Sequence, residues 1–506
     1  MKLKDLISKT KILSASGDLD KEISGISYDS RKVKKGDIFV AIPGTMEDGT
    51  RYIPMAVQNG AVAVIREEKS NFDGFNTPSL FERGGQGVSD ITVPSSRAAL
   101  ADISCTYFGD PSMRLKVIGI TGTNGKTTTA YIMDSILKKI PAKTGLISTV
   151  ETHISDKVFP SVLTTPESYD LQKLFSQMLE QGVSHAVMEV SSHAIALKRI
   201  KGVALDCAVY TNLSHDHLDF HSTLESYLDT KLKLFRSLGS SGKRGVFGAV
   251  NIDDKYSEAV SEETDGDVIT YSLEKNADVS GRITRQELGR MNMEIRSGKD
   301  VFEIKTSLPG RFNAYNILAA VACAKGLKVG QDKIKAGIEA LSAVPGRLQL
   351  IDNGQAFKVV VDFAHSPDSL EKLLCFLSPF KSGRIILVFG CTGDRDKLKR
   401  PVMGAIAAKY ADITIVTSDD PHNEDPAEII KAVEKGFVSS SAAEGRQYLK
   451  ITGRKEAIDK AIEIAAAGDI VVIAGRGHEK FQETKGVNIE IDDCSVAKTA
   501  LQKKLS

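Results

Sequence analysis

Gly122-Thr123-Asn124-Gly125-Lys126-Thr127-Thr128 combines residue types suited to holding a polyphosphate. The stretch follows an apolar strand pattern (Val117, Ile118, Ile120) and precedes a helical one (Tyr131, Ile132, Met133, Ile136, Leu137). In such a strand–loop–helix the glycines let main-chain N–H groups turn toward phosphate oxygens, and the helix N-terminus adds partial positive charge. Lys126 would then pair with the β- and γ-phosphates of ATP, and the Thr127 hydroxyl would reach Mg2+. The common Walker A pattern asks for Gly where this chain has Ile120, which argues against a GTPase or a motor ATPase.

Further candidates lie downstream. Glu189 ends an apolar strand and opens Glu189-Val190-Ser191-Ser192-His193. A carboxylate facing a phosphate loop is the place of a Mg2+ ligand, because Mg2+ takes one or two protein oxygens beside substrate phosphates. His215, Asp216, His217, Asp219 and His221 crowd the end of the next strand at a spacing that fits no standard zinc motif, so Mg2+ in an ATP site is the better reading. Tyr227 to Phe235 has amphipathic helical spacing, in which Lys231 reads as a surface lysine. Thr164 and Thr165 lie in a hydroxyl-rich turn, and Thr165-Pro166-Glu167 is good helix-entry chemistry. Arg311 to Asn316 reads as another helix start. Near the C-terminus four polar loops each follow a strand: Asp362 to Asp368, Gly390 to Lys397, Asp419-Asp420-Pro421-His422, and Gly475 to Glu479. Four such loops on one sheet edge define a pocket for a charged ligand.

The elements that position these residues divide the chain into three α/β units. Residues 1–94 read as a small mixed domain with strands at Ile38 to Ile42 and Ala61 to Ile65, and 69–90 read as a loop. Residues 95–344 begin with a helix from Ser95 to Phe108. They then alternate strand and helix, as a parallel sheet with crossovers does, and 267–306 look like an antiparallel appendage. Residues 345–506 repeat the alternation as a Rossmann-like domain, with strands at Val359 to Phe363, Ile385 to Phe389, Ile413 to Val416 and Ile470 to Ala474.

With 66 basic and 65 acidic residues in 506, no net field favours nucleic acid or an anionic membrane. Six scattered cysteines fit a reducing, cytoplasmic setting and neither a disulfide framework nor a zinc site. No apolar run is long enough to insert into a bilayer.

Gly-Thr-Asn-Gly-Lys-Thr-Thr, Glu-Val-Ser-Ser-His and Asp-His-Leu-Asp-Phe-His together resemble the Mur ligase family, and the match runs end to end. Asp29-Ser30-Arg31 with Lys35-Gly36-Asp37 resembles the family's uridine-binding domain. The resemblance is to the members that add a third residue, a diamino acid, to UDP-N-acetylmuramoyl-L-alanyl-D-glutamate in peptidoglycan synthesis. It implies ATP contacts at Gly122 to Thr128, Asn313, Asn316 and Arg347, with Asp362 and His365 on the nucleotide side. It implies two Mg2+ ions, held by Thr127, Glu189, His217 and a carbamylated Lys231, and catalytic roles for Lys126, Glu189, His217 and Lys231. Ser30, Thr164, Thr165, Ser191 and Arg199 would contact the UDP-linked substrate, and Leu197 stands where the family often has Gln. Arg395, Asp419, Asp420, Pro421, His422, Gly475 and Glu479 would hold the incoming amino acid. His422 stands where members that use meso-diaminopimelate carry Arg. Diaminopimelate is the first expectation, with L-lysine or L-ornithine next. The implied protein is a cytoplasmic monomer that forms an acyl phosphate and then an amide. Two alternatives stay open: a folylpolyglutamate synthetase-like ligase and a non-catalytic nucleotide-binding protein.

Overall fold

The computed structural model describes residues 1–44, 48–68 and 87–505, except for the side chains of 218 and 219. The loop expected at 69–90 therefore lies mostly outside the described residues, as does the Asp219 side chain.

Short β-branched runs build the first sheet. Its five strands stand in the order Ser14–Ser16, Ser89–Val93, Ala63–Glu67, Asp37–Val40, Gly25–Ser27, all parallel except the first. The helix Ser96–Phe108 starts at a Ser95 cap, whose hydroxyl accepts from the Ala98 N–H, and ends at left-handed Gly109. The sequence assigns this helix to the central unit. In the structure its Ala99, Leu100 and Ile103 pack into the first sheet's core beside Ile38, Val40 and Ile91.

The central sheet has eleven strands. Seven parallel ones run in the order Val279–Glu287, Asp267–Ser272, Phe247–Asn251, Cys207–Tyr210, Lys116–Thr121, Val183–Glu189, Lys143–Ile147. The five from Phe247–Asn251 to Lys143–Ile147 are mostly buried on both faces because helices cover both, as a doubly wound sheet requires. Lys126–Leu137 and Arg311–Gly326 lie in one core layer, Ser168–Glu180 and Leu224–Arg236 in the other. The antiparallel appendage is shorter than its sequence pattern suggests. Val279–Glu287, Arg290–Ser297 and Asp300–Thr306 are antiparallel to one another, whereas Asp267–Ser272 pairs in parallel on both sides. Asp267–Ser272 is only half-buried over most of its length, and that mixed polarity is what its sequence shares with the appendage.

The third domain is a six-stranded sheet in the order Gln349–Ile351, Lys358–Asp362, Ile470–Ala474, Ile385–Phe389, Ile413–Val416, Tyr448–Lys450, parallel except for the first strand. A hairpin, Phe481–Thr484 with Val487–Glu490, follows the last core strand and went unseen in the sequence. The order reverses beside Ile470–Ala474, where doubly wound sheets bind ligands. Among the described residues no helix is long and apolar enough to cross a membrane.

Candidate active site between the second and third domains

The phosphate loop joins the strand Lys116–Thr121 to the helix Lys126–Leu137. Gly122 and Gly125 have φ of 148° and 89°, and a Cβ on them would come within 1.9 Å of Thr211 Oγ1 and 2.2 Å of Asn316 Oδ1. Only glycine fits at either position. Lys126 Nζ donates to the carbonyls of Gly122 and Thr123 at 3.0 and 2.9 Å. Burial pushes its pKa down, against the pull of Glu189.

Glu189 is fully buried and collects three donors. Thr127 Oγ1 donates to Oε2 at 3.0 Å, and Thr149 donates from its N–H to Oε1 at 2.8 Å and from its hydroxyl to Oε2 at 3.2 Å. A hydroxyl and a carboxylate in contact at a phosphate loop are a hard-oxygen donor pair of the type Mg2+ takes, so these residues fit the metal. Thr149 has no signal in the sequence beyond following an apolar strand.

Lys231 overturns its surface reading. The helix Leu224–Arg236 buries it to 1 % exposure, with Nζ 3.0 Å from the Gly122 carbonyl and 4.4 Å from the Tyr227 ring centre. Burial and then the charge of Lys126 hold its pKa well below that of a free lysine. The Gly122 carbonyl thus accepts from both lysines. His217 has a left-handed backbone (φ 53°) and its ring centre lies 5.0 Å from that of His193. Desolvation lowers its pKa to about 4, with Asp216 opposing.

Of the residues expected to meet the UDP-linked substrate, Thr164, Thr165, Ser191 and Arg199 line the same cleft. Thr165 is not a helix cap. Its hydroxyl donates to the Glu189 carbonyl at 2.9 Å and accepts from the Ser191 N–H at 3.1 Å, and the helix starts later, at Ser168. Arg199 is bound to Glu167 at 2.8 Å and to the Thr165 carbonyl at 3.2 Å, so it braces this turn. Ser30 is buried in the first domain, 3.4 Å from Met55 Sδ, and lies away from the cleft lining.

The helix Arg311–Gly326 presents Asn313 and Asn316, whose amides bond at 3.1 Å. Arg347, at the bend into the third domain, donates to Thr127 Oγ1 at 3.1 Å and stacks 4.3 Å above the Phe363 ring. Asp362 accepts from the N–H groups of Leu348 and Ala364 at 2.6 and 2.8 Å and so fixes that bend. His365 stays close by, with Nδ1 2.9 Å from the Phe363 carbonyl.

On the opposite wall Asp419, Asp420 and Glu479 bring carboxylate oxygens within 4.8 Å of one another. Buried Arg476 donates to Asp420 at 2.5 Å. Glu479 is pushed up to about 8, first by burial and then by Asp419. Arg454, fully buried, binds Asp493 through Nε (2.8 Å) and Nη2 (2.6 Å) and reaches the carbonyls of Ser418 and Ala474. Those carbonyls precede Asp419 and Gly475, so Arg454 sets the pocket's floor. His422 Nδ1 lies 3.1 Å from Glu483 Oε2, a partner on the hairpin that the sequence did not reveal. Arg395 is exposed on the cleft rim, and Pro421 and Gly122 lie behind the lining.

Thr123 to Thr128 of the phosphate loop and Asp419, Asp420 and Glu479 of the third domain line one cavity of about 2340 Å³. A loop of phosphate-binding type and a carboxylate cluster thus share one cleft.

Comparison with known proteins agrees. Residues 22–108 match the model of the Mur ligase family catalytic domain, 120–324 the Mur ligase middle domain and 346–477 the Mur ligase glutamate ligase domain. The UDP-N-acetylmuramoyl-L-alanyl-D-glutamate–2,6-diaminopimelate ligase of Caldanaerobacter subterraneus subsp. tengcongensis is 40% identical over 503 residues, 99% of each chain. Its namesake in Bacillus velezensis is 41% identical over 507 residues, again 99% of each. A solved diaminopimelate ligase of the same name superposes with a TM-score of 0.65 at 30% identity, over 100% of this chain and 99% of that one. With its three domains matched in order and relatives aligned over nearly the full length, the chain belongs to the Mur ligase family.

Proposed function

We propose that this chain is an ATP-dependent ligase that joins meso-diaminopimelate to UDP-N-acetylmuramoyl-L-alanyl-D-glutamate, forming ADP and phosphate. The observation that carries the reading is the opposition, across one cavity, of Lys126, Thr127 and Glu189 to Asp419, Asp420 and Glu479. The names of the full-length relatives supply the substrates.

A carboxylate is a poor electrophile at neutral pH, so the D-glutamate carboxylate must first be activated. It attacks the γ-phosphorus of ATP, the bond to the β-phosphate oxygen breaks, and ADP leaves an acyl phosphate. Lys126 would spread charge on the transferring group, while Arg347 donates to the Thr127 hydroxyl. Thr127 and Glu189 would hold one Mg2+, and His217 with Lys231 as its carbamate a second. When bound, these ions offset the negative charge of the phosphates. Lys231 suits carbamylation because its buried amine favours the neutral form that reacts with carbon dioxide. Glu479 and Asp419 seat the diamino acid through an ammonium. The attacking amine, once neutral, adds to the acyl carbon, phosphate departs with the bonding pair, and a proton is released. We place the protein in the cytoplasm as a monomer, with Ser30 turning toward the uridine when the first domain meets the substrate.

The test is phosphate release from Mg-ATP with UDP-N-acetylmuramoyl-L-alanyl-D-glutamate and, in parallel, meso-diaminopimelate, L-lysine, L-ornithine or no amino acid. Turnover with diaminopimelate alone is the expected result. Turnover with lysine or ornithine instead would reassign the third-domain pocket. Activity only on a folate with glutamate would favour the folylpolyglutamate-like alternative, and nucleotide binding without turnover the non-catalytic one.

A further inference from the structure

The polar loop after the strand Lys358–Asp362 contains a residue that the ligase chemistry above does not use. Asp368 sits in the first turn of the helix Pro367–Leu377, in the third domain. Its Oδ2 accepts from Asn124 Nδ2 at 2.9 Å and from Ser214 Oγ at 3.2 Å, both in the second domain. The same oxygen takes Lys372 Nζ at 2.8 Å, one turn along its own helix. Asn124 belongs to the phosphate loop, and Ser214 to the loop that leads into Asp216 and His217.

Those two loops are themselves joined. Asn124 donates its N–H to Asn212 Oδ1 at 3.1 Å, the Asn124 carbonyl accepts from Thr211 Oγ1 at 2.7 Å, and the Ser214 N–H donates to Thr123 Oγ1 at 3.0 Å. One carboxylate of the third domain therefore grips the phosphate loop and the histidine loop together. Hydrogen bonds to a charged acceptor are stronger than neutral ones and short in reach. Moving the third domain away must break both at once.

The geometry points to Asp368 as a positioning residue: it ties the shape of the phosphate loop to closure of the third domain, so that the amino-acid pocket faces the nucleotide only when the loop is correctly formed. It acts through Asn124 and Ser214 rather than on substrate. The kinetic arm of its test rests on the ligase reading, and the shape arm does not.

The experiment compares Asp368→Ala, Asp368→Asn and Lys372→Met with the parent chain. Small-angle X-ray scattering with and without the β,γ-imido analogue of ATP reads compaction, titration of that analogue reads nucleotide affinity, and steady-state assays read kcat and each KM. Losing two bonds to a charged acceptor is expected to lower kcat and raise the diamino-acid KM by about tenfold or more in Asp368→Ala. Compaction by the analogue is expected to be lost in that variant, with a smaller change in its affinity. Asp368→Asn keeps an accepting oxygen and is expected to recover part of both losses. Lys372→Met, which removes only the helix-local partner, is expected to behave as the parent. Normal compaction in Asp368→Ala overturns the assignment whatever the activity. So does a loss of compaction that Lys372→Met reproduces or that Asp368→Asn leaves unrelieved. Lost compaction in a chain with no ligase activity would leave the latch standing and count against the ligase reading alone.

Discussion

Arg347 Nη2 lies 3.1 Å from Thr127 Oγ1, and that hydroxyl in turn donates to Glu189 at 3.0 Å. A guanidinium at the bend between two domains thus orients the hydroxyl that, in the proposed function, meets Mg2+. Arg347→Lys keeps the charge but loses the planar fork that both bonds Thr127 and stacks on Phe363. The expected outcome is a fall in kcat of about a hundredfold, in line with the removal of one preorganised electrostatic contact. Parent-like kcat for Arg347→Lys in a steady-state assay would show that charge alone suffices there.

On the proposed function, Glu479 ties amino-acid binding to pH. Its pKa is raised to about 8 by burial and by Asp419, so it is largely protonated at pH 7. An arriving ammonium favours the carboxylate, so binding expels a proton. The KM for the diamino acid should fall as pH rises from 6.5 toward about 8, and Glu479→Gln should flatten the profile. Calorimetry at pH 7 in two buffers of different ionisation heat checks the sign directly. Proton uptake on binding would contradict it. The same shift makes the folded chain hold more protons than the unfolded one between the two pKa values, so this group's contribution to stability declines as pH rises through that window.

The pairing of His422 with Glu483 at 3.1 Å bears on side-chain recognition. His422→Arg introduces a fork able to hold a distal carboxylate through two bonds. The KM for meso-diaminopimelate is expected to drop by about tenfold, while that for L-lysine, which lacks the second carboxylate, stays put. An equal drop for both would mean that the substitution acts on the shared α-amino-acid end.

Arg454 and Asp493 form an ion pair with no solvent exposure on either side chain. Arg454→Met strands a buried carboxylate and should destabilise the third domain by about 3–5 kcal/mol. Thermal unfolding followed by circular dichroism should show the loss, whereas Arg454→Met paired with Asp493→Leu should regain most of it. A single variant as stable as the parent would show that water reaches Asp493.

What the sequence made legible follows from how local each signal is. The phosphate loop declared itself because Gly122, Gly125 and Lys126 are demanded by one short turn whose backbone no other residue can adopt. The parallel sheets were readable because strands covered on both faces are continuously apolar. Lys231 was misread because amphipathic spacing says which face is covered but not that a lysine may be covered with it. Arg454, Arg476 and Thr149 were silent because their partners are tens of positions away or lie on main-chain atoms. The Phe481–Glu490 hairpin was missed because its strands are four residues each, with mixed polarity and little burial.

The two walls of the cleft also have separate histories open to them. In the proposed function the phosphate loop belongs to the second domain, whereas the groups assigned to the incoming amino acid are carried on loops of the third, above a core that does not include them. Replacements such as His422 can accumulate at that rim without disturbing the nucleotide loop. A lineage could therefore change the monomer it builds into its wall while inheriting the activation step intact.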